Sequence, residues 1–238
     1  MTRLLALDTS TDACSVALQD GERIISRFEL AAKSHTQRLL PMVDEVLSEA
    51  GLALADLDAL VFGRGPGSFT GLRICLGVVQ GLAFSRNLPV VGVSTLEAMA
   101  VGYYRRHPDL ASASTPLLVA LDARMQEVYW TLVKPQSGGG GVETLTDEAV
   151  SPPERVVELV AGHTGEAGFY GVGPGWHYPA LEKLAPSAVD MDVQPDARDM
   201  LPLGALALAQ GQAVSAEQAR PVYLRDEISW KKRERIRS

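Results

Sequence analysis

Cysteine, basic charge and long apolar runs are all scarce in this chain of 238 residues. The two cysteines, Cys14 and Cys75, lie inside apolar segments and not in a CxxC pair, which indicates core thiols in a reducing compartment. No apolar run approaches the roughly 20 residues that span a bilayer. The apolar run at residues 4–7 is too short for a signal peptide. We therefore expect a cytoplasmic protein without a membrane partner.

The sequence also lacks the motifs of most nucleotide-dependent, metal-dependent and nucleophilic enzymes. No lysine follows Gly71, so the glycine-rich stretch before it is not a Walker A loop. Ser68 stands where a dinucleotide fingerprint needs its last glycine, and Pro66 stands where a nucleophile elbow needs its first. There is no HExxH motif, Cys/His cluster or EF-hand loop, and the four histidines are scattered. We expect no catalytic residue, no metal site and no firmly bound cofactor.

The charge balance excludes a surface built throughout for nucleic acid. Acidic residues outnumber basic ones by 29 to 22, and the formal net charge is −7. The exception is the C-terminal stretch 226–238, in which five of the seven residues from Lys231 to Arg237 are basic. Two interpretations of this tail stay open: a solvated terminus, or a contact with RNA or with an acidic partner.

The strongest positive signal is the glycine-rich stretch of residues 63–73, Gly-Arg-Gly-Pro-Gly-Ser-Phe-Thr-Gly-Leu-Arg. An apolar run at 57–62 precedes it and an apolar helical pattern at 70–84 follows it, which predicts a strand, a tight loop and a helix N-terminus. Backbone N–H groups at such a junction suit an anion or a closely approaching backbone. The candidate residues in this loop are Gly65, Gly67, Ser68 and Thr70.

A strand, an aspartate turn and a returning strand occur twice, which indicates an internal duplication. The first copy contains Asp8, Thr9 and Ser10, and the second contains Asp122. The first turn is either part of a binding site or an Asx turn that only closes its hairpin. The pattern predicts an α/β protein with lobes at residues 1–107 and 108–225, the second completed by a helix that begins at Ala197.

Two lobes that each open with an aspartate hairpin resemble the actin-like, Hsp70 and sugar-kinase (ribonuclease H-like) fold with duplicated mixed sheets. In that class the hairpins hold phosphates from opposite sides of an interlobe cleft. The resemblance leaves open a weak nucleotide site at Asp8, Thr9, Ser10 and Asp122, and a small kinase or ATPase is the alternative function. The class has glycine where this chain has Ser10, which weakens that alternative. A hydrolase using Ser68 or Ser10 lacks a histidine placed to activate it.

The helix predicted between Ser34 and Gly51 carries two apolar stripes. We expect Leu40, Val43 and Leu47 to dock on a sheet, which leaves Leu39, Met42 and Val46 for a partner. His35 is expected on the surface, because no histidine stands four residues further on. On the next helix, two glycines spaced by four would let another helix come close. The predicted partner surface therefore consists of Leu39, Met42, Val43, Val46, Leu47, Gly77 and Gly81.

Four segments resemble the TsaB family, also called YeaZ: residues 5–10, 34–41, 65–73 and 221–225. The most specific is Gly-Pro-Gly-Ser-Phe-Thr-Gly-Leu-Arg at 65–73, and the resemblance extends over essentially the whole chain. It implies a two-lobe actin-like fold and a role in making threonylcarbamoyladenosine (t6A) beside the anticodon of tRNA. In that pathway the paralogue TsaD transfers the threonylcarbamoyl group, and TsaE is an ATPase that joins the complex.

The resemblance also implies a non-catalytic scaffold that activates TsaD. TsaD has paired histidines where this chain has His35 alone. The implied partners are TsaD, bound through the helices of the N-terminal lobe, and TsaE. The same surface would form a homodimer when the chain is alone. A contact with tRNA would be indirect or would involve the basic tail.

Overall fold

The computed structural model describes residues 2–30, 32–136, 140–160, 162 and 168–225. The basic tail, and with it the predicted tRNA contact, lies outside the described residues. Within these ranges no helix has the length and apolar character needed to cross a membrane. Cys14 and Cys75 are both buried free thiols, which confirms their predicted place in the core.

The first sheet has mixed strand directions. Its strands are β1 (Arg3–Asp8), β2 (Ala13–Asp20), β3 (Arg23–Leu30), β4 (Ala59–Gly65) and β5 (Val90–Ser94). They lie in the order β3-β2-β1-β4-β5, with an antiparallel β1-β2-β3 meander and parallel β1-β4-β5 pairing. Helices α1 (His35–Ala50) and α2 (Phe69–Arg86) pack on one face. Residues 4–8 of β1 are fully buried, as expected for a strand covered on both faces.

The second sheet repeats this arrangement. Its strands are β6 (Leu117–Arg124), β7 (Glu127–Pro135), β8 (Val142–Thr144), β9 (Ala149–Ser151), β10 (Tyr170–Val172) and β11 (Ala188–Asp190). The order β8-β7-β6-β10-β11 matches that of the first sheet, and β9 also pairs with β7. The β6-β7 pair is antiparallel, and β6-β10-β11 is parallel. The predicted duplication is therefore present in the topology of the two sheets.

Two helices pack against the sheet formed by the other half of the chain. Helix α3 (Thr95–Arg106) packs on the second sheet, where Met99 contacts the cluster that contains Val119. Helix α6 (Ala197–Ala209) packs on the first sheet, together with Ala6 and Val61. The prediction that α6 completes the second lobe was wrong. Its apolar face shows that it covers a sheet, but only long-range packing decides which one. The remaining helices are α4 (Pro108–Ser112) and α5 (Pro153–Val160).

The packing of α1 corrects the predicted partner surface. Leu39, Met42 and Val46 are 0–1% exposed and lie in the core under the first sheet, so they are not available to a partner. Leu40, predicted to dock, is 49% exposed. Val43 is also buried, and Leu47 is half-buried against the same core. The two stripes are offset by one residue along α1. Contact with β2 buries the stripe of Leu39, Met42 and Val46.

His35 was predicted to lie on the surface, but it is buried and only 9% exposed. Its Nε2 atom is shielded from solvent and has no hydrogen-bond partner among the described residues.

Gly51 ends α1 with a left-handed φ of 69°, as the sequence predicts for a residue just past a helix.

Candidate functional site in the interlobe cleft

The glycine loop packs directly against the turn that follows β1. A Cβ atom on Gly67 would lie 2.4 Å from the carbonyl oxygen of Ser10, and one on Gly71 would lie 1.9 Å from that of Thr9. The Thr9 hydroxyl donates a hydrogen bond to the Gly71 carbonyl oxygen at 2.8 Å. The loop and the turn are therefore in direct contact. The glycines serve the close approach of the chain's own backbone.

Ser68 uses its polar groups inside this contact. Its N–H donates to the Ser10 carbonyl oxygen at 2.7 Å, and its hydroxyl oxygen caps α2 by accepting from the Gly71 N–H at 3.3 Å. Two N–H groups that could face an anion are thus bonded within the chain. An anion would have to displace these contacts to use them.

Asp8 lies beneath the loop and not in the cleft. Its Oδ1 atom accepts from the N–H of Ser10 at 3.1 Å and from the hydroxyl of Ser10 at 2.8 Å, which is an Asx turn. Its Oδ2 atom is buried without a hydrogen-bond partner in the described part of the chain. Burial raises the pKa of the Asp8 carboxyl from 3.8 to about 7. The turn that follows β1 is therefore an Asx turn.

Asp122 forms the corresponding turn in the second sheet but borders the cleft. Its Oδ1 atom accepts from the Arg124 N–H at 2.8 Å and from the Tyr178 hydroxyl at 3.1 Å. Its Oδ2 atom pairs with the Arg124 guanidinium at 3.1 Å. The duplication thus extends to the aspartate turns. Their carboxylates have different environments, since only that of Asp122 reaches the cleft.

A cleft of about 1070 Å³ separates the two aspartate hairpins. Predicted residues from both sides border it: Ser10, Gly67, Ser68, Thr70 and Asp122. Asp8, Thr9 and Gly65 are not among its lining residues. The segment before the basic tail also lines the cleft: Val222, Tyr223, Leu224 and Arg225. Sequence reasoning assigned this segment no role at the site.

The sequence shows a second glycine-rich turn at 171–175, but its identity with the first loop was not recognised. The pattern Gly-x-Gly-Pro-Gly occurs at 63–67 around the end of β4 and at 171–175 around the end of β10, which are equivalent strands. The middle glycines, Gly65 and Gly173, both have positive φ, 109° and 101°. Gly175 packs on β6, where its Cβ would lie 2.7 Å from the carbonyl carbon of Ala120. A direct comparison of the two segments would have revealed the repeat.

Two serine hydroxyls at the cleft take part in local hydrogen bonds. Ser10 donates to Asp8, and the Ser68 hydroxyl oxygen accepts from the Gly71 N–H. Among the described residues, neither hydroxyl donates a hydrogen bond to a histidine that could activate it. The described part of the chain contains no group of three or more His, Cys, Asp or Glu side chains placed to hold a metal ion. The arrangement is two aspartate turns on opposite sides of a cleft, the first of them packed against the glycine loop.

Two mixed sheets of the same strand order, each opening with an aspartate hairpin, define a two-lobe α/β protein of the actin-like class, as predicted. Residues 24–168 match the family described as TsaD, tRNA N6-adenosine threonylcarbamoyltransferase. The chain is 46% identical to TsaB of Escherichia coli, a tRNA threonylcarbamoyladenosine biosynthesis protein, over 97% of both chains. It is 41% identical to TsaB of Haemophilus influenzae over 96% of both. The chain belongs to the TsaB family, and its predicted membership is confirmed.

Solved structures agree with this membership. YeaZ from Pseudomonas aeruginosa is 48% identical and superposes with a TM-score of 0.85, covering 94% of this chain and all of that one. Component A of (R)-2-hydroxyglutaryl-CoA dehydratase from Acidaminococcus fermentans has a TM-score of 0.51 at 12% identity, so the likeness is one of fold alone.

Proposed function

We propose that this chain is a non-catalytic scaffold that activates TsaD for threonylcarbamoyl transfer to the adenosine beside the anticodon of tRNA. Its TsaB relatives are named for threonylcarbamoyladenosine biosynthesis. One observation carries the scaffold assignment: the glycine loop and the Asp8 turn, which would hold phosphate in a nucleotide-using relative, are bonded to each other. A self-paired loop supports a structural role and does not favour the kinase or ATPase alternative.

The partner surface we propose is the exposed stripe of α2 with the neighbouring part of α1. Gly77 and Gly81 face open space, with nothing within 4 Å of a Cβ on either. Phe84, three residues beyond Gly81, is 72% exposed, and Leu40 of α1 is 49% exposed. Small residues beside a large exposed apolar side chain fit a helix of a partner. These residues replace the buried positions of α1 in the predicted surface.

TsaD is the partner proposed for this surface in the complex, with TsaE as a further subunit. In the absence of TsaD, a second copy of this chain would cover the same apolar surface, because an isologous dimer buries it on both copies. We propose that the protein acts in the cytoplasm, where tRNA is modified. Contact with tRNA is assigned to the complex or to the basic tail at 226–238.

Reconstitution with single omissions tests the proposal. This chain, TsaD and TsaE are mixed with tRNA, threonylcarbamoyl-adenylate and ATP, and each protein is left out in turn. We expect transfer to tRNA to require this chain, while the chain alone neither hydrolyses ATP nor modifies tRNA. Transfer without it, or ATP turnover by the purified chain, would overturn the scaffold assignment. Titration calorimetry with ATP and Mg²⁺ separately measures any weak nucleotide site in the cleft.

A further inference from the structure

The hairpin turn between β6 and β7 has an unfavourable backbone. Arg124, Met125 and Gln126 all have positive φ, at 62°, 55° and 60°. Met125 and Gln126 are the two residues between the strands, where positive φ at both positions strongly prefers Asn-Gly. L-residues with a Cβ rarely adopt this conformation three times in succession. Neighbouring contacts must therefore hold the turn in place.

Two sets of contacts hold it. From within the hairpin, the Asp122 carboxylate accepts from the N–H of Arg124 and pairs with its guanidinium. From outside, Arg225 donates to the Ala123 carbonyl oxygen at 3.2 Å and to the Glu127 carboxylate. Ala123 and Glu127 flank the three left-handed residues. One guanidinium therefore ties together the two ends of the strained turn.

Arg225 belongs to a segment, Ala219–Arg225, that we call the C-terminal strap. The strap is fastened to the first lobe along α2 and the glycine loop. Gln80 donates to the Ala219 carbonyl oxygen at 3.3 Å, and the Val222 N–H donates to the Arg64 carbonyl oxygen at 2.7 Å. At Gly65 a Cβ would lie 2.8 Å from the Val222 carbonyl oxygen, so the glycine allows the strap to lie against the loop.

Tyr223 makes the second fastening of the strap to the first lobe. Its ring lies 5.4 Å from that of Phe69, and its hydroxyl accepts from Arg73 Nε at 3.3 Å. The Arg73 guanidinium in turn lies 3.9 Å above the centre of the Phe69 ring. The strap thus runs from the helix of one lobe to the hairpin of the other along the wall of the cleft.

We propose that the C-terminal strap is a conformational lock on the interlobe cleft. Fastened to the first lobe by Val222 and Tyr223, it uses Arg225 to hold the turn at 124–126 of the second lobe in its left-handed conformation. When the strap lifts, the turn loses one of its two holds and relaxes, and the second lobe is no longer tied across the cleft. This inference does not depend on the proposed function, because it concerns the chain alone.

Hydrogen exchange of the full chain tests the lock. We compare the wild type with Arg225→Ala and with a matched control, Arg220→Ala. The Arg220 guanidinium contacts the carbonyl oxygens of Glu217 and Ala219 in its own segment. We expect Arg225→Ala to speed amide exchange in the peptide covering 121–130 by about tenfold, since a charge-assisted tie is lost. The control is expected to leave this peptide unchanged.

The same Arg225→Ala change in a chain with a less strained turn distinguishes restraint of the turn from a simple loss of contacts. Replacing Met125→Asn and Gln126→Gly supplies residues that favour the observed turn. In this variant we expect Arg225→Ala to change amide exchange of the turn peptide less than twofold, because Asn and Gly keep the left-handed conformation without the Arg225 contacts. An equal acceleration in both backgrounds, or none in either, would overturn the proposal. A single cooperative urea transition for each variant would show that it is folded.

The width of the cleft is measured directly with spin labels at Asp12→Cys and His177→Cys. Both residues are exposed and line the cleft from opposite lobes, and the native cysteines are buried. Electron paramagnetic resonance then gives the distribution of distances between the two labels. We expect Arg225→Ala to lengthen or broaden this distribution and Arg220→Ala to leave it unchanged. Identical distributions for all three proteins would refute the tie across the cleft.

Discussion

Asp8 and Gly63 share a space that accommodates only one side chain: a Cβ on residue 63 would lie 1.9 Å from Oδ2 of Asp8. The carboxylate that ends β1 therefore requires a glycine on β4, the strand beside it. The loop that follows continues the same close contact at Gly67 and Gly71. Three glycines of the stretch at 63–71 are thus explained by close contact with residues 8–10 of the first hairpin.

Two glycines of α2 give opposite predictions for the same substitution. Gly71→Ala places a Cβ against the Thr9 carbonyl oxygen, so we expect a loss of about 3 kcal/mol in the free energy of unfolding. Gly77→Ala meets open space in the same helix, and alanine there should stabilise by about 0.5–1 kcal/mol. Urea unfolding followed by circular dichroism measures both. Equal effects would contradict the packing described for the loop.

The buried Asp8 carboxyl predicts a pH-dependent stability. Its folded pKa is about 7, whereas an unfolded aspartate titrates near pH 4 (about 3.9). Between these values the folded state holds a proton that the unfolded state has released, so this group's contribution to stability falls as pH rises.

The variant Asp8→Asn has no such proton and can still accept both hydrogen bonds of Ser10. Its stability relative to the wild type should therefore rise by roughly 1.4 kcal/mol per pH unit between about pH 4 and about pH 7. Urea unfolding at several pH values gives this difference. A difference that does not change with pH would contradict the buried carboxyl.

The partner surface that we propose predicts two distinct outcomes for an introduced aspartate. Phe84→Asp changes an exposed residue, so stability should shift by about 0.5 kcal/mol or less, while co-purification with TsaD is lost. Met42→Asp buries a charge in the core and should unfold the protein. Ser112→Asp, an exposed position on α4 and outside α1 and α2, is the control and should keep the partner. Equal TsaD binding by the variants at 84 and 112 would contradict the surface.

The strained turn predicts a stabilising substitution. Gln126→Gly removes the Cβ from a left-handed position and should raise the free energy of unfolding by about 1 kcal/mol. Glu22→Gly in the two-residue turn between β2 and β3 is the control, because Glu22 is not among the residues with positive φ. That change should instead cost about 0.5–1 kcal/mol. Thermal unfolding of the two variants distinguishes the outcomes by the direction of the shift in Tm.

The extent to which the sequence predicted the site differed between local and distant features. The loop at 63–73 and the two aspartate turns could be predicted, because glycine and aspartate act on backbone within a few residues. The burial of Asp8 could not, since it depends on the neighbouring strand and on Met200 of α6. Nor could the strap, whose polar contacts join Arg225 to residues about a hundred positions away.

By itself, the sequence determined the local elements, the repeated aspartate hairpins and, through its resemblance to TsaB, the family. Tertiary structure alone decided which stripe of α1 enters the core, which sheet α6 covers and which of the two aspartates reaches the cleft. The physical reason is that an apolar stripe or a carboxylate has the same local chemistry on either side of a helix or sheet. Its burial is decided by the residues that meet it from distant parts of the chain.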